Sequence, residues 1–452
     1  PECSIVVLDN ATGELRAVVG GREHTTKLAL NRATASKRQP GSTIKPLIVY
    51  GPAIESGFIN AATPICDELT NFNGYIPKNF NDKFNGWVTV RQALAKSLNI
   101  PAVKVLQGMG IEQGKSFAES LGIEFTEDDN HLALALGGMS IGTTPAQIAN
   151  AYQAFANDGV FIEMSCIRRI TNNQGITVYV ENKPKKKVMS EETAFLINDM
   201  LVSAVEEGTG GDLKNLKIQV AAKTGTVGLE KIQGYKDAWM VSYNAEYTVV
   251  AHLGFDKTDA KNCLPPSASG STYPGKICGD IFRFIYKGNE GLAPKFHRPS
   301  GIVTCLLDKK ALYERHSIEK ATDFTPYSET VNEYFSPVSV PQADSVYWNI
   351  PATPTSMKVE LSGGKPLIKL KIEYGHIEYK IYKRTAFGES QLLGTLEGNP
   401  GEVQSITDNA ANPGDVCEYY CVPYHKEIQY GNQPLRGEAT DSISIVLPYI
   451  QG

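Results

Sequence analysis

Ser42 and Lys45 lie three residues apart in Arg38-Gln39-Pro40-Gly41-Ser42-Thr43-Ile44-Lys45-Pro46. On a helix that spacing puts a hydroxyl and an amine on one face. Pro40 and Gly41 break any preceding element, so a helix opens at or just after Ser42, and Pro46 is tolerable in its first turn. Ser42 then sits where free N–H groups and the helix dipole favour developing negative charge. A serine nucleophile with a lysine base suits acyl transfer. The condition is severe, because a lysine with a pKa near ~10.4 is mostly charged at neutral pH and is then no base. Burial and a nearby like charge both lower that pKa, and a drop of about three units costs the charged form roughly 4 kcal/mol.

Two further polar groups stand at element boundaries. Ser97-Leu98-Asn99 falls in a tight corner between a helix-like stretch at 88–98 and a second helix with Pro101 in its first turn. Taken alone, the serine and asparagine are ordinary caps. Lys223-Thr224-Gly225-Thr226 follows the strand-like run at 218–222 and by itself is an ordinary strand end. Gly138-Met139-Ser140-Ile141-Gly142 matches the nucleophile elbow of another hydrolase class. Its context argues against that role, since an elbow needs a helix directly after the serine. Here the helix waits for Thr144-Pro145-Ala146-Gln147, an N-cap, a first-turn proline and a capping-box glutamine. Ile148, Tyr152 and Phe155 form its buried stripe.

The elements that position these groups follow from pattern. Residues 4–20 read as a hairpin, residues 70–86 as a long Asn- and Gly-rich loop of the kind that is often functional, and Ser190-Glu191-Glu192 as the start of a helix running to about residue 207. Strands follow at 239–243 and 247–255, and a helix at 277–286. Strands at both ends of a region whose middle is helical imply an α+β fold, one antiparallel sheet flanked by helices with a helical subdomain inserted. Residues 291–344, with five prolines, read as a connector. Beyond residue 345, Ile368, Leu370, Ile372 and Tyr374 alternate with charged residues, and Ile377, Tyr379, Ile381, Cys417, Tyr419 and Cys421 keep the same period, which reads as an all-β sandwich.

At 452 residues the chain exceeds one core, so the reading is 1–290, the connector 291–344, and the sandwich 345–452. A formal charge of -5 without a long basic run gives no reason to expect nucleic acid, and residues 183–187 read as a solvated loop. No apolar run of spanning length and no signal-like start occur, and the opening strand reads as cut from a longer polypeptide. The eight cysteines and seven histidines show no metal or redox spacing, so no metal and no cofactor are expected. Cys263 and Cys278 flank a Pro/Ser/Gly-rich loop and can pair, with free buried thiols the favoured alternative.

Ser-x-x-Lys, Ser-x-Asn and Lys-Thr-Gly in that order are the motif set of penicillin-binding proteins and related β-lactamases. Together with Asn85-Gly86-Trp87-Val88-Thr89-Val90-Arg91-Gln92-Ala93-Leu94, Lys96-Ser97-Leu98-Asn99-Ile100-Pro101-Ala102-Val103 and Asp237-Ala238-Trp239, residues 1–290 resemble the transpeptidase domain of class A penicillin-binding proteins. The resemblance implies the β-lactamase/transpeptidase fold and a peptidoglycan D,D-transpeptidase that acylates itself on a D-Ala-D-Ala stem peptide and is acylated by β-lactams. It also implies site roles. Ser42 would be the nucleophile, Lys45 its base, Ser97 a proton relay, and Asn99 the residue holding Lys45 or the substrate amide. Lys223 faces Lys45 across the cleft and, with Thr224, Gly225 and Thr226, binds the substrate carboxylate. Backbone N–H groups of Ser42 and Thr226 form the oxyanion hole. The family's membrane anchor and glycosyltransferase domain have no counterpart in these residues, and the implied location is the extracytoplasmic face of a bacterial membrane. The sandwich resembles a fibronectin type III domain through its strand pattern and Tyr419-Tyr420-Cys421, implying cell-wall or division partners, or spacing. Rival readings are a D,D-carboxypeptidase or β-lactamase, and a non-catalytic module that senses β-lactams or binds the cell wall. The absence of a Glu-x-x-Leu-Asn segment weakens the β-lactamase reading.

Overall fold

The computed structural model describes residues 1–23, 27–229, 232–384 and 388–449. They divide into two compact units. Unit 1 holds Pro1–Cys305, Leu312–Ile318 and Asn332–Pro341, and unit 2 holds Leu306–Ala311, Glu319–Val331 and Gln342–Gly452. Residues 291–344 are thus shared between the units rather than forming a third piece.

Unit 1 opens with β1 (Glu2–Asp9) and β2 (Leu15–Val19), the hairpin expected from alternation. Its turn is fastened by the Asp9 carboxylate, which accepts from the Thr12 amide at 3.1 Å and hydroxyl at 2.9 Å. The chain returns to this sheet only after about two hundred residues, through β3 (Ala221–Leu229), β4 (Ile232–Tyr243) and β5 (Tyr247–Gly254). All pairs are antiparallel, in the order β2-β1-β5-β4-β3, with Val6 opposite Val250. The tight β4–β5 turn is built on Asn244, whose side-chain oxygen accepts from the amides of Glu246 and Tyr247.

Adjacent residues of a strand point to opposite faces, and here both faces are covered. Val6, Val241 and Val250 join a cluster with Tyr152 and Phe155 of helix Pro145–Ala156 and Leu196 and Met200 of helix Glu191–Glu206. Val7, Met240 and Val249 join another with Cys278 and Phe282 of helix Tyr273–Ile285. Two-sided burial explains why these strands are apolar runs rather than alternating ones.

Three local expectations change and one is met. Residues 88–98 are not one helix. Gly86–Thr89 pairs as a strand with Pro64–Asp67, and the helix Val90–Ala95 starts where Thr89 and Gln92 exchange side-chain-to-backbone bonds in a capping box. The strand expected from 218 begins at Ala221, so the Lys-Thr-Gly segment lies within a strand instead of after one. Cys263 and Cys278 form no disulfide with each other, as the favoured free-thiol reading had it. Lys185–Lys187 forms a short exposed strand against Val160–Ile162 rather than a loop.

Unit 2 carries β6 (Lys358–Ser362), β7 (Lys365–Lys371), β8 (Ile377–Arg384), β9 (Ser390–Leu396), β10 (Val403–Thr407), β11 (Val416–Tyr430), β12 (Gln433–Arg436) and β13 (Ile443–Val446). One sheet runs β6-β7-β10; the other runs β9-β8-β11-β12, with β13 also on β11. Ile368 and Leu370 of the first and Tyr379, Ile381, Cys417, Tyr419 and Cys421 of the second share one buried cluster, so the period of two seen in sequence is the inward face of each sheet. Within it the Asp408 carboxylate accepts from Tyr419 Oη at 2.6 Å and Lys383 Nζ at 2.7 Å.

Candidate active site

The Ser42 segment is helical but irregular. Gly41–Ile44 forms a 3-10 turn, Pro46–Tyr50 a wide π turn and Gly51–Glu55 an α turn. From residue 40 to 54 every residue is buried except Ser42, which reaches the surface of a cleft of about 390 Å³. Pro46 leaves no amide to bond backwards, which accounts for the loosened winding after Lys45.

Ser97 and Asn99 reach the same cleft from the corner between helices Val90–Ala95 and Asn99–Met109. Ser97 holds a left-handed backbone, φ 57°. For a residue other than glycine that conformation is costly, and it is what lets the chain reverse within two residues while turning the serine side chain outward.

Lys223 comes from β3, the open edge of the sheet, with Thr224 and Thr226 lining the cleft. Close approach of this edge to the serine turn requires glycine at 225. A Cβ there would meet the Pro40 carbonyl oxygen at 2.4 Å. Thr226 Oγ1 accepts from the Gly270 amide at 3.1 Å, and Thr224 Oγ1 donates to Thr209 Oγ1 at 2.8 Å.

Lys45 is fully buried and donates to three oxygens: Asn99 Oδ1 at 2.8 Å and the Ser97 and Leu98 carbonyls at 2.8 and 2.9 Å. Lys223, equally buried, donates to Ser97 Oγ at 2.7 Å and to the Thr224 carbonyl at 3.0 Å. The expected relay is therefore divided. Lys223 holds the Ser97 hydroxyl, while Lys45 meets the Ser97 carbonyl. Burial, and then the charge of Lys223, hold Lys45 well below the ordinary lysine range, with Asp67 opposing. Burial lowers Lys223 from 10.5 to about 7. The three acceptors around Lys45 favour an ammonium, but desolvation of the whole group is the larger effect.

The serine turn is buttressed from below. Arg38 Nε donates to Asp237 Oδ1 at 2.7 Å, and the same oxygen lies 2.9 Å from His252 Nε2. His252 Nδ1 in turn lies 3.4 Å from Ser4 Oγ. Trp239 Nε1 donates to the Gln39 carbonyl at 3.0 Å. The elbow-like segment belongs to this scaffold. Arg38 and Thr143 exchange backbone bonds at 2.9 Å, and a Cβ on Gly142 would meet the Arg38 carbonyl at 2.5 Å, so its glycine serves close packing. Ser140 donates to Asp129 Oδ1 at 2.9 Å, a carboxylate that also ties Thr126 and that, against the effect of burial, its hydrogen bonds hold below the ordinary range, a weak base for a serine.

The family described as the penicillin-binding protein transpeptidase domain matches residues 3–282. The chain belongs to this family. Its transpeptidase region is that of a class A penicillin-binding protein. It is 38% identical over 287 residues to penicillin-binding protein 1F of Bacillus subtilis, covering 62% of this chain and 38% of the relative. Penicillin-binding protein 1A/1B of the same organism is 32% identical over 353 residues, 75% of this chain and 37% of the relative. The chain thus spans less than two fifths of the length of these relatives. Among solved structures, penicillin-binding protein 1A from Haemophilus influenzae superposes with a TM-score of 0.65 at 26% identity, over 76% of this chain and 55% of that one. The D,D-transpeptidase domain of a peptidoglycan glycosyltransferase from Eggerthella lenta shares the fold, with a TM-score of 0.55 at 22% identity over 64% and 79%.

Within this transpeptidase domain, several cleft residues escaped the sequence reading: Thr209, Ser269 and Ser271 on loops, and Asn79 and Phe80 in the 70–86 loop. Only the last pair had a signal, the length and asparagine content of that loop. Among the described residues no helix is long and apolar enough to cross a membrane.

Proposed function

We propose that unit 1 is a serine D,D-transpeptidase that cross-links peptidoglycan stem peptides and is acylated by β-lactams. The observation that carries this reading is the pair of fully buried lysines meeting at Ser97 beside the only surface-reaching residue of the serine turn. Burial beside a second lysine is the arrangement that leaves an amine uncharged at neutral pH and so free to accept a proton.

The steps follow from that arrangement. Lys45, neutral, takes the Ser42 proton as Oγ attacks the penultimate D-Ala carbonyl. The resulting oxyanion is met by the backbone N–H groups of Ser42 and Thr226, and losing one such donor costs about 3 to 4 kcal/mol in the transition state. Collapse breaks the peptide bond, and the departing D-Ala amine is protonated through the Ser97 hydroxyl. An acceptor amine from a neighbouring strand reverses these steps, giving its proton back and taking the acyl group. Asn99 orients Lys45, and Lys223 with Thr224 and Thr226 receives the substrate carboxylate. Because β3 is an edge strand, an extended peptide can lie along it beside Thr224 and Thr226. A β-lactam enters the same sequence, but its leaving nitrogen stays tethered and obstructs the acceptor. The reaction belongs on the extracytoplasmic face of a bacterial membrane. Unit 2, with two antiparallel sheets on one core, fits a fibronectin type III-like module.

Intact-protein mass spectrometry with a penicillin tests the reading. A long-lived adduct is expected in the wild type and in Ser140→Ala, and none in Ser42→Ala. Rapid turnover instead points to a β-lactamase, and no adduct in the folded wild type points to a non-catalytic module. Product analysis with a stem peptide and an added amine separates cross-linking from trimming by water.

A further inference from the structure

Asp67 ends the strand Pro64–Asp67 and has no exposure to solvent. Its carboxylate is met by neutral amides. Asn79 Nδ2 lies 2.9 and 2.8 Å from its two oxygens, and the Asn85 amide and side-chain nitrogens lie 2.9 and 2.8 Å from Oδ2. Only the nitrogen end of a carboxamide can donate to a carboxylate, so Asp67 fixes which way Asn79 faces. The other end, Asn79 Oδ1, accepts the backbone N–H of Asn99 at 2.8 Å. Asn99 is the first residue of its helix, where amides have no intrahelical partner, and its side chain is held on the other side by donation to the Lys78 carbonyl at 2.7 Å. Asn99 Oδ1 then receives Lys45 Nζ. An unbroken row of bonds therefore runs from a buried charge to the amine assigned as base.

We propose that Asp67 is a positioning residue of the cleft: through Asn79 it fixes Asn99, on which Lys45 rests, and its buried charge is a counterweight at Lys45. The inference rests on the reading of Lys45 as the base. A carboxylate beside a lysine favours the ammonium, so Asp67 sets how far the depression of Lys45 can go. The other charged group acting on Lys45 is Lys223 on β3; Tyr50, on the same helical segment as Lys45, is influenced by Asp67, and Lys96 lines the cleft. Glu68, next in sequence, is turned outward to Lys104.

Asp67→Asn removes the charge while leaving an oxygen where Oδ2 accepts three of the bonds. Two readouts are compared in the full chain. In carbon-detected lysine NMR, the Lys45 titration midpoint is expected to fall by about one pH unit, and the acid limb of penicillin acylation to move to lower pH by the same amount. An unmoved Lys45 midpoint overturns the inference, as does a profile lowered at every pH with its midpoint unchanged. Asn79→Ala tests the row separately and keeps the proposal decidable should the first variant not fold. The limiting acylation rate is expected to fall roughly tenfold to a hundredfold with little change in penicillin affinity. A wild-type rate in that variant overturns the positioning role. Failure of the wild type to form an adduct sinks the transpeptidase reading instead, and the NMR midpoint still decides the fate of Asp67.

Discussion

Lys223 is a fully buried amine whose pKa has dropped from 10.5 to about 7, and that drop has a thermodynamic sign. Between about pH 7 and roughly 10.4 the unfolded chain binds a proton there that the folded protein does not, so stability from this group climbs as pH rises and is forfeited as pH falls toward 7. Near neutrality Lys223 is a burden on the fold. Replacing it with an apolar residue of similar length, Lys223→Met, should raise stability at pH 7 by roughly 2 to 4 kcal/mol and flatten the climb toward alkaline pH. Denaturant titrations at pH 7 and 9.5 check this, and the same variant should lose penicillin acylation. At this scale the residues that meet in the cleft were legible in sequence because the chemistry proposed for them needs particular side-chain types. Asp67 and Thr209 were not, since an aspartate and a threonine at unremarked spacings are common anywhere, and Asn79 had only the length and asparagine content of its loop. Only the folded chain brings them to the lysines.

At the scale of elements, the cleft depends on two backbones approaching more closely than side chains allow. The serine turn and β3 meet where Gly225 faces the Pro40 carbonyl. Gly225→Ala should destabilise unit 1 by roughly 1 to 3 kcal/mol, and acylation should slow further than the stability loss explains, because strand and turn are pushed apart. Stopped-flow acylation well below the melting temperature separates the two effects. The hairpin at 4–20 and the helix after Thr144 were readable because turn residues and a capping box mark them locally. The stretch at 88–98 misled for a physical reason. Val88 is buried by pairing with Ile65 in a strand and Leu94 by the helical cluster, so a single apolar periodicity spans two elements, and the Thr89 cap between them decides the boundary.

For the molecule as a whole, the cleft of the proposed chemistry lies in unit 1 and the Asp408 core in unit 2. Asp408→Ala leaves Tyr419 and Lys383 without their acceptor and should cost unit 2 roughly 3 kcal/mol. Calorimetry should show the loss, while penicillin acylation proceeds at the wild-type rate. The two-unit organisation was foreshadowed by the change from mixed to strictly alternating patterning, but the division of residues 291–344 was not, because it depends on which unit each short stretch packs against.

The contacts beneath the serine turn carry one more consequence. Ser4, His252 and Asp237 form a row with the composition of a hydrolase triad, with the ring nitrogens exchanged so that Nδ1 faces the serine and Nε2 the carboxylate. Yet Ser4 has no exposed surface, so no carbonyl carbon can approach its oxygen. A fluorophosphonate that labels serine hydrolases should leave Ser4 unmodified in the native protein. What separates a nucleophile from a strut in this sheet is the route to water, and the same three side chains laid open would be a different enzyme.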